Sequence, residues 1–412
     1  MVRALPPGGA RAVARCDALG IAPYSDMAGG LYRGYLTPAY TASQQALSDW
    51  MAQAGMTPRR DPAANLIGRY EGDMAGAPAL LIGSHLDSVR DAGRYDGPLG
   101  IMLGIECVAA LHAQGRRMPF AIEVIAFGDE EGSRFPAAML TSRAVSGTLG
   151  PAALDMADAQ GVALADAGVD VARYLDAAYA PGSARAYLEA HIEQGPVLEA
   201  DGLAVGTVTG IAAQLRYEVI VRGMAGHAGT TAMCLRRDPL AGAAAMVLAV
   251  EQAARGDNAD LVATVGSIAA TPGAANVIPG EVRFTIDVRS GDAVRRDRAA
   301  AEILLRLREI ADVRKLDLDV TLIHDLAPSP CDPALMDLMD DALLDAGQPV
   351  RRLVSGAGHD AMNMAALCPT AMLFIRCKGG VSHNPAEQVD PADAEIALQV
   401  MLGFIERLGA KA

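Results

Sequence analysis

The order of apolar and polar residues predicts alternating strands and helices in the first part of the chain. Continuous apolar runs at Ala79–Ile82 and Ala121–Phe127 are typical of buried strands, and Asn65–Tyr70 also has a strand pattern. Apolar residues at helical spacing mark Thr41–Ala54 and Gly100–His112. Because buried strands alternate with helices, we expect an α/β fold with a mixed, mostly parallel sheet flanked by helices.

The pattern changes after Gly210 and returns after Pro328. The middle stretch predicts an α+β unit whose strands and helices are Leu215–Arg222, Pro239–Ala254, Ala263–Ile268, Val282–Val288 and Ala299–Asp312. Beyond it we expect a helix at Pro333–Ala346, a strand at Ala371–Arg376 and a final helix. Residues 1–24 are expected to be irregular, and residues 150–185 to form two alanine-rich helices.

This change of pattern predicts two domains. Residues 1–209 and 327–412 carry nearly all of the candidate ligands and would form one catalytic domain. Residues 210–326 hold only two histidines, His227 and His324, and would form an inserted domain. Proline- and glycine-rich stretches at 205–212 and 326–332 are typical of hinges.

Composition narrows the classes of partner and compartment. A formal net charge of −14 argues against nucleic acid or an anionic membrane as a partner. No apolar run reaches the roughly 18 residues of a membrane span, and the N-terminal stretch lacks the apolar core of a secretory signal. The six cysteines are scattered without C-x-x-C spacing, which predicts reduced thiols and a cytoplasmic location.

Histidines and carboxylates cluster where strands are predicted to end. His85 and Asp96 follow the first apolar strand, Glu131 follows the second, and His191 and His383 lie in two later stretches. Since loops at the carboxyl ends of parallel strands meet at one edge of a sheet, these side chains are expected to converge. Imidazoles and carboxylates suit a pair of divalent cations, zinc or manganese first, with nickel and cobalt also fitting.

Neighbouring acids can complete such a centre. Asp96, on the tight loop nearest His85, can bridge two cations, whereas Asp87, two residues after His85, is better placed to orient that imidazole. Glu130 and Glu131 are adjacent, so one can bind a metal while the other moves a proton from water to the leaving amine. Single histidines and Glu-Glu pairs usually have structural roles, so it is their co-occurrence in several loops that favours a metal site.

Seven stretches together resemble the dinuclear amidohydrolases of the hydantoinase/carbamoylase group, in the clan of co-catalytic zinc aminopeptidases. The stretches are GSHLDSVRDAGRYDG, AFGDEEGSRF, HIEQGPVLE, RGMAGHAGTT, NVIPGEVRFTIDVR, SGAGHDAMNMA and GGVSHNPAE. The resemblance implies two divalent metal ions per subunit. It assigns one ion to His85, Asp96 and His191, and the other to Asp96, Glu131 and His383.

The same resemblance implies roles outside the ligands. Glu130 would be the general base, and Asp87 would support the ligands from behind. The inserted domain would be a lid and the interface of a homodimer. His227 would stabilise the tetrahedral oxyanion in the active site of the partner subunit, which requires that it donate a hydrogen bond to the developing charge.

A small ureido acid is the implied substrate. The residues implied to contact it are Gln194, Asn276, Arg289, Gly358 and His359. Arg289 would hold the substrate carboxylate, because a guanidinium offers two parallel N–H groups to a carboxylate. Arg216 is a weaker candidate for the same pocket.

Members of this group cleave the ureido C–N bond of allantoate, ureidoglycolate, N-carbamoyl amino acids or 3-ureidopropionate. The loop Arg90–Asp96 resembles the allantoate branch, which favours allantoate as substrate, a ureidoglycolate-type product with release of ammonia and carbon dioxide, and a place in purine catabolism. The alternative is an N-carbamoyl-L-amino-acid hydrolase or a 3-ureidopropionase. A dinuclear exopeptidase and a non-catalytic binding protein on this fold are more distant alternatives.

Overall fold

The computed structural model describes residues 8–257 and 259–411, and the chain divides into two compact units. The first unit takes the described residues up to Thr209, then Cys331–Leu353 and those from Ala357 onward. The second takes Gly210–Pro330 and Val354–Gly356. Within the described ranges, no helix combines the length and the apolar character needed to cross a membrane.

A sheet with helices packed on it forms the first unit. Its helices are α1 (Gly8–Leu19), α2 (Pro38–Gln53), α3 (Pro98–Ala113), α4 (Leu140–Val145), α5 (Val197–Asp201), α8 (Pro333–Asp345), α9 (Ala361–Met364) and α10 (Pro391–Ala410). Its strands are β1 (Thr57–Arg60), β2 (Leu66–Tyr70), β3 (Ala79–His85), β4 (Ala121–Phe127), β5 (Ala184–Ile192) and β16 (Thr370–Ile375), and at the unit boundary β6 (Val205–Ile211) and β15 (Arg352–Ser355).

The centre of this sheet is parallel, which confirms the predicted fold class. Strands follow one another in the order β1, β2, β4, β3, β5, β16 and β6. The pairs β3–β4, β3–β5 and β5–β16 are parallel, whereas the outer pairs are antiparallel. Every residue of β3 and β4 is buried, because helices or loops cover both faces of a central parallel strand.

Two glycines let helix α3 begin close to the strand ends. A Cβ on Gly100 would lie 2.1 Å from the carbonyl oxygen of Ala190, so only glycine permits this approach of α3 to β5. Gly97 precedes the helix at φ 83°, and a Cβ there would lie 2.4 Å from the carbonyl oxygen of His85. The loop from β3 to α3 is therefore held against the end of its own strand.

The second unit is an antiparallel sheet with two long helices. Its strands are β7 (Ala213–Arg222), β8 (Gly226–His227), β9 (Val262–Thr264), β10 (Ile268–Thr271), β11 (Val277–Ile278), β12 (Glu281–Ser290), β13 (Asp317–Leu326) and β14 (Ser329–Pro330). The main sheet has the order β10, β12, β7, β13, and β9 also pairs with β12. Its apolar face packs on α6 (Pro239–Arg255) and α7 (Ala293–Arg314), and this core includes Val219, Phe284, Met246 and Ile303.

The prediction that residues 1–24 are irregular is wrong for residues 8–19, and residues 1–7 lie outside the described ones. Helix α1 buries Ala12, Cys16 and Leu19, which share one face of a helix. A Cβ on Gly9 would lie 2.2 Å from the backbone nitrogen of Glu395 in α10, so a glycine that suggests a loop in the sequence serves a close helix contact.

The prediction of two alanine-rich helices in residues 150–185 is also wrong. This segment contains three short 3-10 helices, Pro151–Leu154, Leu164–Asp166 and Val171–Ala177, before β5 begins. Gly161 and Gly168 separate them at φ 80° and 109°, a backbone conformation that interrupts an α-helix. Alanine content therefore misled the prediction, because the glycines decide the local conformation.

Candidate metal centre and active site

The ends of neighbouring parallel strands bring the predicted ligands of the first unit together. β4, β3, β5 and β16 lie side by side and point the same way, so their carboxyl ends share one edge of the sheet. His85 ends β3, Glu130 and Glu131 follow β4, His191 lies next to the end of β5, and His383 follows β16. Four separate segments therefore contribute to one site.

Three buried side chains form what we call the inner set: His85, Asp96 and His191. The Nε2 atoms of the two imidazoles are 3.5 Å apart. They lie 3.9 Å (His85) and 3.2 Å (His191) from Oδ1 of Asp96. No member of the set is more than 6% exposed, so these donor atoms face one another away from water.

Backbone carbonyl groups orient the two inner imidazoles. Nδ1 of His85 lies 3.0 Å from the carbonyl oxygen of Asp87, and Nδ1 of His191 lies 2.9 Å from that of Ile192. A carbonyl oxygen only accepts, so each Nδ1 donates, and Nε2 of each ring faces Asp96, with a lone pair there whenever the ring is neutral. Lone pairs that converge in this way are the arrangement of ligands around a cation.

A second group, the outer set, consists of Asp96, Glu131 and His383. Nε2 of His383 lies 3.2 Å from Oδ2 of Asp96 and 3.4 Å from Oε1 of Glu131. Asp96 therefore presents Oδ1 to the inner set and Oδ2 to the outer set. This is the position of a carboxylate that bridges two cations.

The spacing of these atoms fits two divalent ions. Metal–ligand bonds of about 2.0–2.1 Å in tetrahedral geometry place ligand atoms about 3.3 Å apart. The separations of 3.2, 3.4 and 3.5 Å in the two sets are close to that value, and only the 3.9 Å from His85 to Asp96 is longer. Imidazole and carboxylate donors suit zinc and manganese in particular.

The charges in the site also favour cations. Burial raises the pKa of Glu130 well above its usual range and that of Glu131 to about 7. Burial opposes the charged form of Asp96 as well, but a hydrogen bond to His383 and the neighbouring imidazoles hold its pKa below the usual value. Burial also acts to lower the pKa of His85, and the carboxylates around it, Glu130 first, more than reverse this. Acids packed so closely need protons or cations to coexist.

Asp87 supports the loop that carries Glu130 and Glu131. Its carboxylate accepts hydrogen bonds from the backbone N–H groups of Glu130 at 3.1 Å and of Glu131 at 3.2 Å. The imidazole of His85, which Asp87 was expected to orient, is held by the Asp87 carbonyl group, and its Nδ1 is 3.9 Å from the nearer carboxylate oxygen. Asp87 thus connects the ends of β3 and β4.

Three predicted substrate residues of the first unit also lie at this site. Nε2 of Gln194 donates to both oxygens of Asp96 at 3.0 and 3.1 Å, and the buried Oε1 has no hydrogen-bond partner among the described residues. The ring of His359 is 4.4 Å from that of His191, and burial lowers its pKa well below the usual value. Gly358 precedes it, and a Cβ there would lie 2.6 Å from the terminal methyl group of Met139.

The predicted residues of the second unit form two groups of their own. His227 in β8 pairs with Val277 in β11, and the N–H of Ala228 donates to the carbonyl oxygen of Asn276, so His227 and Asn276 are neighbours. The N–H of Gly229 donates to Nδ1 of His227 at 3.1 Å. Nδ1 is therefore the acceptor nitrogen, which leaves the proton of the neutral ring on Nε2, exposed and able to donate.

Arg289 and the weaker candidate Arg216 share one carboxylate. Nε and Nη2 of Arg289 donate to Asp287 at 2.6 and 3.1 Å, and Nε of Arg216 donates to the same group at 2.7 Å. Two guanidinium groups on one carboxylate leave a net positive charge in a cavity of about 520 Å³ that Arg216 and Arg289 help to line.

Several residues that complete the site were not predicted. Glu189 and Asp360 are fully buried acids, and burial raises their pKa values to about 8 and about 7. The hydroxyl oxygen of Ser382 lies 3.0 Å from Oδ2 of Asp96, and Glu387 accepts hydrogen bonds from the loop that carries Asp96. Glu189, Asp360 and Ser382 each stand within two residues of a predicted site residue, and the prediction did not use this signal.

An α/β sheet whose strand ends carry two histidine–carboxylate sets is the architecture of a metal-assisted hydrolase. Residues 81–407 match the model of Peptidase family M20/M25/M40, and the chain belongs to this family. It is an enzyme that hydrolyses carbon–nitrogen bonds.

Named relatives confirm the resemblance to the hydantoinase/carbamoylase group. The chain is 42% identical over 384 residues to an N-carbamoyl-L-amino acid amidohydrolase of Geobacillus stearothermophilus, covering 92% of this chain and 94% of the relative. It is 39% identical over 431 residues to allantoate deiminase 2 of Glycine max, covering 96% and 89%. The crystal structure of a hydantoinase/carbamoylase family amidase from Burkholderia multivorans matches with a TM-score of 0.89 at 33% identity, covering 98% of each chain.

Proposed function

We propose that this protein hydrolyses the ureido carbon–nitrogen bond of a small carboxylic acid, with allantoate as the favoured substrate. The observation that carries the proposal is the pair of ligand sets that share Asp96, with the buried Glu130 beside them. The inner set would hold one divalent ion and the outer set the other. Such ions supply Lewis acidity, which polarises a carbonyl group and lets water lose a proton near neutral pH.

Glu130 is the proposed general base. It lies against His85 and Glu131, and its loop is fixed by the carboxylate of Asp87. A buried carboxylate whose pKa is raised can take a proton from water near neutral pH and return it to the leaving nitrogen. Oxygen from water then forms a bond to the ureido carbon, the C–N bond breaks, and the nitrogen leaves as ammonia.

Gln194 and His359 are proposed to position the substrate in the first unit. Oε1 of Gln194, which has no hydrogen-bond partner within residues 8–257 and 259–411, is an acceptor for a ureido N–H. His359 is held neutral by burial, so its imidazole can form hydrogen bonds without carrying a charge. Gly358 would line the same pocket through its backbone.

For the second unit we propose the role of a lid and dimerisation domain, in a cytoplasmic homodimer. His227, whose Nε2 carries the proton, would donate to the tetrahedral oxyanion in the partner's active site. Arg289, with Asn276 and Arg216, would hold the substrate carboxylate. Sedimentation of the purified protein tests the dimer, and a purely monomeric protein would contradict it.

The choice of substrate rests on the loop Arg90–Asp96. An N-carbamoyl-L-amino acid is the second candidate, because the relatives of both names match at similar identity. Both substrate classes contain a ureido group and a carboxylate. They differ in the other groups attached to the carbon skeleton that carries these two. The proposed hydrolysis mechanism applies to both substrate classes.

A parallel assay separates these candidates. Purified protein loaded with manganese is supplied in turn with allantoate, N-carbamoyl-L-amino acids, 3-ureidopropionate and a dipeptide, and ammonia or amine release is measured. We expect the highest kcat/KM with allantoate and loss of activity on chelation. Preference for N-carbamoyl amino acids would overturn the substrate but keep the reaction, whereas cleavage of the dipeptide alone would overturn both.

A further inference from the structure

Glu387 is a buried acid that the mechanism above does not use. It lies four residues beyond His383 in the segment that leads to α10, and it is 6% exposed. Its Oε1 accepts hydrogen bonds from the backbone N–H of Tyr95 at 2.7 Å and of Asp96 at 3.1 Å. Its Oε2 accepts from the hydroxyl of Ser382 at 3.1 Å. Three donors from two segments therefore converge on one carboxylate.

These bonds tie together two loops that carry candidate metal ligands. Asp96 stands 291 positions before Glu387 in the sequence, on the loop between β3 and α3. Ser382 directly precedes His383, and its hydroxyl is also 3.0 Å from Oδ2 of Asp96. Because Asp96 belongs to both ligand sets, a shift of its backbone would move a ligand of each set.

The carboxyl group of Glu387 lies directly against Gly93. A Cβ placed on Gly93 would lie 2.2 Å from Cδ of Glu387, closer than non-bonded carbon atoms approach. The side chain of Glu387 thus fills the space that a larger residue at position 93 would need. Burial of a carboxylate costs free energy unless the group is hydrogen-bonded. Here two of its donors are the backbone N–H groups of Asp96 and its neighbour Tyr95.

We propose that Glu387 is a positioning residue that holds the backbone of Asp96 and thereby sets the affinity of the protein for both divalent ions. The inference rests on the proposed two-ion site. Glu387 binds no ion and touches no substrate. It acts only through Asp96 and Ser382.

The test compares Glu387→Gln and Glu387→Asp with wild type and with Glu406→Gln. Glu406 is an exposed residue of α10 that pairs with Arg116 at 2.6 Å, so its substitution is a matched loss of charge. Manganese-loaded proteins are challenged with graded chelator and the retained metal is counted. We expect both Glu387 variants to release metal about 10–100-fold more readily, because loss of an outer hydrogen-bond partner costs that much in metal affinity.

Two further readouts separate positioning from folding. Cobalt-loaded Glu387→Gln should show an altered visible absorption spectrum, while its far-ultraviolet circular dichroism matches wild type. Gly93→Ala, which crowds the carboxylate without removing it, should weaken metal retention in the same direction and keeps the proposal testable if Glu387→Gln does not fold. If wild type retains two ions and all three variants retain them equally well, the inference is overturned while the proposed function stands. A wild-type protein that binds no divalent ion overturns both.

Discussion

The inner and outer ligand sets share Asp96 but differ in how firmly their other members are held. His85 and His191 are buried, and a backbone carbonyl group fixes each ring. His383 is 49% exposed and stands in a loop at φ 53°, a backbone conformation uncommon for residues other than glycine. The inner set is thus already arranged for a cation, whereas the outer set has to order an exposed side chain.

Two sites built from similar donor groups can therefore differ in their affinity for a divalent ion. Ordering a side chain on binding costs conformational entropy, and solvent weakens the attraction between an ion and exposed ligands. We therefore expect the ion of the inner set to bind more tightly. Three experiments on the site can break or sharpen this comparison, and a fourth concerns a carboxyl group outside both sets.

Asp96→Asn should have the largest effect, because it affects both sets at once. An amide offers one neutral oxygen where the carboxylate offers two oxygens that share a negative charge, so the two sets lose their charged bridge. We expect the protein to lose both ions and all measurable activity, as read by metal analysis after gel filtration. Asp73→Asn, an exposed aspartate, is the control. Retention of two ions in Asp96→Asn would show that the sets do not depend on a shared ligand.

Glu130→Gln should affect the chemistry and leave both sets occupied. Removal of a general base typically costs about 10²–10⁴-fold in rate, and the amide cannot take up the proton. We expect kcat to fall by that factor while the metal content stays at that of wild type, measured on the same sample. Full turnover with the metals bound would make the assignment of the base wrong.

His383→Ala and His191→Ala compare the two sets directly. We expect His383→Ala to keep the inner ion up to a chelator concentration roughly tenfold or more above that which strips His191→Ala, since it leaves the buried, carbonyl-fixed ligands intact. Wild type should release its ions in two steps. Equal release from both variants, or a single step in wild type, would remove the distinction between the sets.

The smallest effect concerns Asp61, a partly buried carboxyl group outside both sets. Burial raises its pKa to about 6, above its value in the unfolded chain. Between about pH 4 and 6 the folded protein therefore binds a proton that the unfolded chain has lost, so stability declines as the pH rises through this window. In Asp61→Asn this decline should be smaller, by on the order of 2 kcal/mol.

Urea unfolding of metal-free protein at pH 4, 5, 6 and 7 measures this difference. The same experiment with manganese present separates the pH dependence of the fold from that of metal loss, because Asp61 belongs to neither set. If the pH dependence of wild type and Asp61→Asn were the same, burial would not have raised the pKa of this group.

Much of the fold followed from local pattern. The strand Ala121–Phe127 has the predicted bounds, and helices α2, α3 and α6 lie within a few residues of the predicted ones. The errors have local causes too. In residues 150–185, glycines at positive φ outweigh a composition rich in alanine. In α1, Gly9 reads as a loop residue until its contact with Glu395 of α10 is known.

By itself, the sequence determined that His85, Asp96, Glu131, His191 and His383 are candidate ligands, because apolar runs that end in such residues belong to strands whose carboxyl ends meet. Only the tertiary structure decided which oxygen of Asp96 faces which set, that carbonyl groups orient the inner imidazoles, and that Asp87 supports Glu130 through backbone bonds. Only there does Glu387 reach Asp96, across 291 positions. The reason is physical. Strand patterning is a local consequence of burial, whereas a hydrogen bond of about 3 Å depends on how the ends of separate strands pack against one another.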